Sequence, residues 1–196
     1  MKIISVIHQK GGVGKSTLTF NLATNLKESA SVEIVDMDYQ GSLLKIRGIS
    51  EVPIHTADKL DDLIKKDLDF IFIDTPPYLS ENLPKLIEMS DAIIIPTKAG
   101  YFDFLAIEST IDLIKKTGGE DKSMIVFNMI KPNTTLTSEI KEKLSEYNIR
   151  VANSMISDLV AITRSGLVNG VEDSENAQNQ INELTEEVIE FSYKMN

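Results

Sequence analysis

Residues 2–17, KIISVIHQKGGVGKST, decide the fold: an apolar, β-branched run leads directly into a glycine-rich segment that ends in Lys, Ser and Thr. The run predicts a buried strand, and the apolar periodicity that begins at Lys15 predicts a helix. Glycines at such a junction let successive backbone N–H groups turn inward toward a phosphate, and the helix N-terminus adds partial positive charge. The segment therefore predicts a strand–loop–helix unit that binds phosphate.

The glycine-rich segment departs from the ordinary P-loop pattern at one position. The pattern G-x-x-x-x-G-K-[ST] would have its first glycine at position 9, where the chain has Gln9, and a second lysine, Lys10, follows. Lys15 is spaced to reach the β- and γ-phosphates of a nucleotide, and Ser16 to place its hydroxyl on Mg²⁺. The alternative is a glycine-rich turn without a ligand, which would make the order K-G-G-V-G-K-S-T after a strand an accident.

Three carboxylates follow other predicted strands. Asp36 and Asp38 are two residues apart, so in an extended segment both face the same side, where one can hold a metal while the other orients water. A helix cap or a solvated turn is the alternative interpretation of this pair. Asp74 ends an apolar run, as a Walker-B strand requires to present a carboxylate to Mg²⁺ through a coordinated water. All three lie at strand C-termini, where open α/β sheets bind ligands.

Short β-branched runs alternate with segments of helical periodicity along the whole chain, which predicts an α/β fold with a mostly parallel, P-loop NTPase-like sheet and helices on both faces. Asp103 and Ser138 are predicted to cap the fourth and fifth helices. The predicted strands are Lys2–Ile7, Val32–Asp36, Phe70–Asp74, Ala92–Pro96, Met124–Asn128 and a weaker one at Arg150–Met155. The predicted helices are Lys15–Lys27, Thr56–Lys65, Leu83–Met89, Phe104–Lys116, Leu136–Tyr147, Asp158–Leu167 and Ala177–Tyr193.

Composition limits the function classes. The 196 residues predict a single domain, residues 1–196, and the charge of −10 argues against nucleic-acid binding through overall positive charge. The absence of cysteine excludes disulfides, thiol nucleophiles and Cys-ligated clusters. Apolar runs are far shorter than the roughly 18 residues of a membrane span, and no leader pattern stands at the start, so we expect a cytoplasmic protein.

The motifs together resemble the ParA family of deviant Walker-A ATPases, the plasmid and chromosome partition proteins related to MinD. The family pattern K-G-G-x-G-K-[ST]-T is met in full by Lys10–Thr17, and the resemblance runs nearly the full length. It implies ATP and ADP as ligands with Mg²⁺, and a nucleotide-sandwich homodimer in the ATP state in which Lys10 reaches the partner's phosphates. The nucleotide contacts that the resemblance implies are Lys10, Gly11, Gly12, Val13, Gly14, Lys15, Ser16, Thr17 and, toward adenine, Asn128.

The resemblance also implies the catalytic and metal-binding roles. The family segment D-x-D-P-Q corresponds to residues 36–40, in which Tyr39 replaces the usual proline and Asp38 would position the attacking water. The catalytic set is then Lys10, Lys15 and Asp38, and the metal set is Ser16, Asp36 and Asp74. We expect slow, partner-stimulated hydrolysis, because no arginine finger is evident in cis.

Further partners follow from the same resemblance. It implies non-specific DNA binding by the ATP dimer, a centromere-binding, ParB-like adaptor, association with the nucleoid and no membrane. Relatives commonly carry an arginine just after the sixth strand, where this chain has Asp158, so the nearest basic candidates are Arg150, Arg164 and Lys131. A solvated helix lysine is the alternative interpretation of each lysine on this face.

Four other functions stay open. The same cycle can position a protein cargo through a different adaptor, and the catalytic residues do not separate this from DNA partition. A membrane-cycling MinD-like regulator would need a basic amphipathic C-terminus, whereas residues 186–196 are acidic. A small-molecule kinase or ligase would need an acceptor pocket, which residues 101–104 are placed to line. A nucleotide-binding regulator without catalysis is the fourth.

Overall fold

The protein forms one parallel sheet with helices on both faces, in a computed structural model that describes residues 1–78, 82–131, 135–171 and 173–194. The strand order is β3-β2-β4-β1-β5-β6-β7, and every pairing is parallel, which confirms the predicted fold class. The strands are β1 (Lys2–Val6), β2 (Val32–Asp36), β3 (Ile54–Thr56), β4 (Phe70–Asp74), β5 (Ala92–Thr97), β6 (Ser123–Phe127) and β7 (Arg150–Val151). The helices are α1 (Lys15–Asn25), α2 (Leu60–Leu63), α3 (Leu83–Met89), α4 (Tyr101–Lys116), α5 (Leu136–Ser145), α6 (Val160–Val168) and α7 (Glu175–Lys194).

Side chains along the central strands point alternately to the two faces of the sheet, which divides the core into two layers. Ile4 and Val6 of β1 face the layer that α1, α6 and α7 cover, whereas Ile3 and Ile7 face the layer of α2 to α5. Since successive strand residues point to opposite faces, a strand covered on both sides is apolar at nearly every position. β1 therefore lies fully buried between β4 and β5, and its carboxyl end delivers the glycine-rich loop to the middle of the sheet edge.

Two predicted elements differ from the observed ones. The segment predicted as a helix over Thr56–Lys65 begins instead as edge strand β3, continues as a 3₁₀ turn at Ala57–Lys59 and forms only one turn of helix, α2. Leu60 and Leu63 are buried in the core, as the apolar spacing predicts, but the helix is shorter than predicted. The predicted strand Arg150–Met155 pairs with β6 only at Arg150 and Val151, after which the chain turns to meet α7.

The predicted caps were also wrong. α4 begins at Tyr101, with Gly100 as its cap, and α5 begins at Leu136 with Thr135 before it. Asp103 instead lies inside the first turn of α4, where its carboxylate makes a long-range contact described below.

The C-terminal helix packs as its amphipathic pattern predicts. α7 buries the stripe of Ile181, Leu184, Val188 and Phe191 against the α1 layer. Among the described residues no helix combines the length and the apolar character that crossing a bilayer would require. Met195 and Asn196, the end of the acidic tail, lie outside the described residues.

Candidate nucleotide site

The glycine-rich loop joins β1 to α1 at the carboxyl edge of the sheet, as predicted. Gly12 and Gly14 adopt positive φ angles of 72° and 93°, a conformation that side chains with a Cβ rarely take. A Cβ on Gly14 would also lie 2.1 Å from Nδ2 of Asn128, so that position admits no larger residue. Backbone conformation and packing thus both require glycine at the last turn before α1, where the loop's N–H groups converge.

Asn128 supports the loop from β6. Its side chain is buried, and Nδ2 donates a hydrogen bond of 2.8 Å to the carbonyl oxygen of Val13. The sequence pointed to an adenine contact here, whereas the side-chain contact in the structure is with the loop itself. Beside it lies a cleft of about 50 Å³ lined by Thr17, Asn128, Met129, Ser157, Asp158, Leu159, Ile162 and Thr163. The adenine role of Asn128 stays a proposal.

Lys15 lies inside the loop. The side chain is buried, Nζ donates to the carbonyl oxygen of Lys10 at 3.3 Å, and burial lowers the pKa of the ammonium, which the nearby Asp74 and Asp38 partly counteract. A buried ammonium with one hydrogen bond, to a carbonyl oxygen, among the described residues is poorly solvated, and phosphate oxygens would satisfy it better than the loop does.

Ser16 and Asp74 meet as the Walker motifs predict. The Ser16 hydroxyl, in the first turn of α1, donates a 2.5 Å hydrogen bond to Oδ2 of Asp74 at the end of β4. Asp74 is fully buried, and burial raises its pKa to about 7, against the Ser16 hydrogen bond, which lowers it. Its other oxygen, Oδ1, has no hydrogen-bond partner within the described part of the chain.

This pair suits a magnesium ion. A hydroxyl and a carboxylate are hard oxygen ligands, and the unpartnered buried Oδ1 is the kind of atom that a bound cation and its waters would satisfy. The described residues contain no cluster of three or more His, Cys, Asp or Glu side chains arranged for a metal. The arrangement therefore fits Mg²⁺ that arrives with a nucleotide and takes most of its ligands from phosphates and water.

Asp36 and Asp38 differ in their surroundings. Asp36 is buried and accepts hydrogen bonds from the N–H groups of Asp38, Leu43 and Leu44, so it fixes the loop after β2. Burial raises its pKa, while these backbone hydrogen bonds lower it. Asp38 is half-buried, and within the described ranges its carboxylate accepts one hydrogen bond, from the N–H of Gln40 at 2.9 Å, which leaves it able to face a water. A direct metal role for Asp36 stays a proposal.

The side chain of Lys10 contacts α4. Its Nζ makes a 2.7 Å ion pair with Oδ1 of Asp103 on α4, and its backbone N–H donates a 2.8 Å hydrogen bond to Nδ1 of His8. His8 is buried, and burial first, then Lys15 and Lys10, lowers its pKa to about 4. The ring is therefore neutral and accepts through Nδ1.

These two partners of Lys10 were missed from the sequence. The sequence predicts Asp103 as a helix cap and assigns no role to His8. For His8 the sequence did contain a signal, because a residue between β1 and the loop lies close to the loop backbone. For Asp103 no local signal existed, because it lies 93 residues from Lys10 in the chain.

The predicted DNA-contacting residues occupy separate elements. Arg150 pairs with Glu187 at 2.9 Å and lies over the ring of Phe191, so α7 holds it in place. Arg164 on α6 forms an ion pair with Asp173, and Lys131 is exposed after β6. Each arginine is thus paired with a carboxylate. Within the described part of the chain, the structure shows no contact that joins Arg150, Arg164 and Lys131 into one basic cluster.

Comparison with known proteins agrees with this geometry. The family model for the CobQ/CobB/MinD/ParA nucleotide binding domain matches residues 4–187. The "Maintenance of carboxysome distribution protein A" of Halothiobacillus neapolitanus is 27% identical over 95% of each chain. A plasmid partition protein from Borrelia burgdorferi B31, solved with AMPPNP, superposes with a TM-score of 0.77 at 19% identity over 98% of each chain. Apo McdA from Cyanthece gives a TM-score of 0.78 at 15% identity, covering 96% of this chain and 99% of that one.

Proposed function

We propose that this chain, which belongs to the CobQ/CobB/MinD/ParA nucleotide-binding domain family, works as an ATP-driven switch that distributes a cargo inside the cell. As a MinD/ParA-type P-loop protein it is an ATPase. The finer proposal is that ATP closes a homodimer around two nucleotides and that slow, partner-stimulated hydrolysis opens it again.

The observation that carries the proposal is the contact of Ser16 with Asp74 directly beneath a loop that already contains Lys15. The loop N–H groups and Lys15 bind and orient the phosphates of ATP. The Ser16 hydroxyl and the Asp74 carboxylate are the groups that would hold Mg²⁺, which supplies charge neutralisation on the phosphates when bound.

Hydrolysis is assigned to Asp38. Its carboxylate is half-buried at the end of β2, close enough to influence the charge of both Lys15 and Asp74, and its turn is fixed by Asp36 and by the N–H of Gly41. A carboxylate so placed orients a water toward the γ-phosphate and accepts its proton as the bond to the leaving group breaks. With one carboxylate and no arginine finger described beside it, a slow basal rate follows.

Lys10 is assigned to the partner's nucleotide. Its ammonium pairs with Asp103 of α4, and its side chain is 36% exposed. A partly exposed lysine on a flexible four-carbon stem can reach a second subunit, while Lys15 serves its own loop. This supports the sandwich dimer that the motif implies.

The identity of the cargo is the most specific part of the proposal. DNA segregation would need the dimer to bind DNA without sequence preference and to meet a centromere-binding adaptor. A protein assembly as cargo is the second candidate, because a relative that aligns over 95% of the chain is named for carboxysome distribution. The pairing of Arg150 and Arg164 with carboxylates gives DNA binding by a single subunit little support, so two subunits would have to pool their basic residues.

The test is ATP turnover and sedimentation with Mg²⁺, with and without non-specific duplex DNA at two salt concentrations. We expect ATP to produce a dimer and Asp38→Ala to retain ATP binding while hydrolysis falls by about 100-fold or more. DNA retention that weakens steeply with salt supports the DNA cycle. Turnover by a monomer that ignores DNA would overturn the switch and favour a metabolic kinase or ligase.

A further inference from the structure

The surroundings of Lys10 show that this residue is fixed at three points within its own subunit. His8 accepts its N–H, Lys15 donates to its carbonyl oxygen, and Asp103 pairs with its ammonium. The first two contacts involve the backbone, so they hold the loop whatever the side chain does. Only the pair with Asp103 determines where the ammonium points.

The carboxylate of Asp103 is itself held in a defined place. It lies in the first turn of α4, and its Oδ2 approaches Gly100 so closely that a Cβ at that glycine would be 2.6 Å away. Gly100 has φ −91° and ψ 151°, which any residue can adopt, so the absence of a side chain matters there for space and not for backbone strain. The glycine provides the room in which the carboxylate meets Lys10.

The pair is also placed so that it can open. The Lys10 side chain is 36% exposed while that of Asp103 is 14% exposed, so the lysine is the outer and freer member. Swinging Nζ outward needs only side-chain rotation, because the backbone of Lys10 stays bound to His8 and Lys15.

We propose that Asp103 is a positioning residue for Lys10, one that holds the ammonium in cis in the nucleotide-free chain and must release it before Lys10 can serve a second subunit. This inference rests on the proposed function, because Asp103 of the same subunit and the nucleotide of the partner subunit would compete for the Lys10 ammonium. The ion pair opposes dimerisation and thereby sets the ATP and protein concentrations at which the switch closes. Two such pairs open for each dimer formed.

The experiment compares ATP-dependent dimerisation of the wild type with Asp103→Asn and Gly100→Ala, by light scattering over a range of protein concentrations. Partly exposed ion pairs are worth about a threefold change in equilibrium each, so losing two should lower the half-dimerisation concentration by about tenfold. Gly100→Ala displaces the carboxylate without removing its charge and should act in the same direction. Asp91→Asn, which removes a comparable ion pair with Lys2 at the opposite edge of the sheet, is the matched control and should change the concentration by less than twofold.

The double variant Lys10→Ala/Asp103→Asn separates an effect through Lys10 from a general effect on α4. If Asp103 acts through Lys10, the double variant dimerises no better than Lys10→Ala alone. A higher or unchanged half-dimerisation concentration for Asp103→Asn, or a gain that persists without Lys10, overturns the proposal.

A second measurement distinguishes failure of this inference from failure of the proposed function. Acetylation of Lys10 in the nucleotide-free chain, followed by mass spectrometry, reports the cis pair whether or not dimers form. We expect Asp103→Asn and Gly100→Ala to speed labelling of Lys10 about threefold relative to labelling of Lys45 on the same protein. If the wild type never dimerises but labelling speeds up, the pair exists and the dimer proposal is wrong. Unchanged labelling overturns the pair itself.

Discussion

Replacing Asp74 with Asn should stabilise the nucleotide-free protein, and the gain should grow with pH. The structure buries this carboxylate completely at the end of β4, and its pKa rises from 3.8 in an unfolded chain to about 7 in the fold. Between these two values the unfolded chain releases the proton while the folded chain keeps it. The folded state then binds more protons, so the free energy of unfolding falls as pH rises, and the loss is complete above pH 7.

The magnitude follows from about 1.36 kcal/mol for each pH unit of that window. At pH 5 the folded protein has lost about 1–2 kcal/mol relative to low pH, and at pH 8 about 4 kcal/mol. Asn cannot ionise and still accepts the Ser16 hydroxyl through its amide oxygen. The stabilisation of Asp74→Asn should therefore be about 2–3 kcal/mol larger at pH 8 than at pH 5.

The assay is urea unfolding of both proteins at the two pH values, in EDTA and without nucleotide. Asp69→Asn is the control: Ser31 hydrogen bonds lower the pKa of Asp69 below its usual value of 3.8, so this carboxylate is ionised in both states at pH 5 and at pH 8, and the effect of its replacement should be the same at the two pH values. If Asp74→Asn raises the free energy of unfolding equally at pH 5 and at pH 8, the reasoning is wrong. Packing, and not the burial of a charged carboxylate, would then explain the gain.

Three further predictions test the scaffold of the site. The free energy of unfolding of the wild type should fall by up to about 3 kcal/mol as pH falls from 6.5 to 4, because His8 binds a proton in the unfolded chain while its buried ring stays neutral in the fold. His8→Asn should remove this loss, which urea unfolding at pH 7 and pH 4.5 measures. Gly14→Ala should abolish ATP binding by calorimetry and destabilise the fold by about 1–3 kcal/mol, since it collides with Asn128 at a positive φ; unchanged affinity would contradict this. Glu187→Gln should cost about 1–3 kcal/mol in urea unfolding, because it weakens the anchor that joins Arg150 and two backbone N–H groups to α7; a change under about 0.5 kcal/mol would show that the anchor is dispensable.

Much of the nucleotide site was predictable because its geometry is local or set by the sheet. The loop of residues 9–14 depends on its own glycines, and the meeting of Ser16 with Asp74 follows from two neighbouring parallel strands that end at one edge. The five longer strands were recognised because burial on both faces makes their sequences almost continuously apolar. Edge strand β3 was missed because three residues are too few to show a period.

The rest depends on contacts between residues far apart in the chain. Nothing near Asn128 indicates that its amide supports Val13, and nothing near Asp103 distinguishes an N-cap from a partner for Lys10. In both cases a short polar residue stands at the end of an element, where several roles share one local pattern. The packing of β6 and α4 around β1 decides between those roles, and only the folded structure shows it.

The central claim is that Lys10 of one subunit completes the nucleotide site of the other, and mixing two inactive variants tests it most directly. In a mixed dimer of Lys10→Ala with Asp38→Ala, the first chain keeps its own Asp38 and receives Lys10 from its partner, so one site of two is complete. We predict that neither variant hydrolyses ATP alone, and that an equimolar mixture recovers roughly a quarter of wild-type activity, since half the dimers are mixed and half their sites work. A mixture that stays inactive, although co-purification of differently tagged chains shows that mixed dimers form with Mg·ATP, would contradict the account.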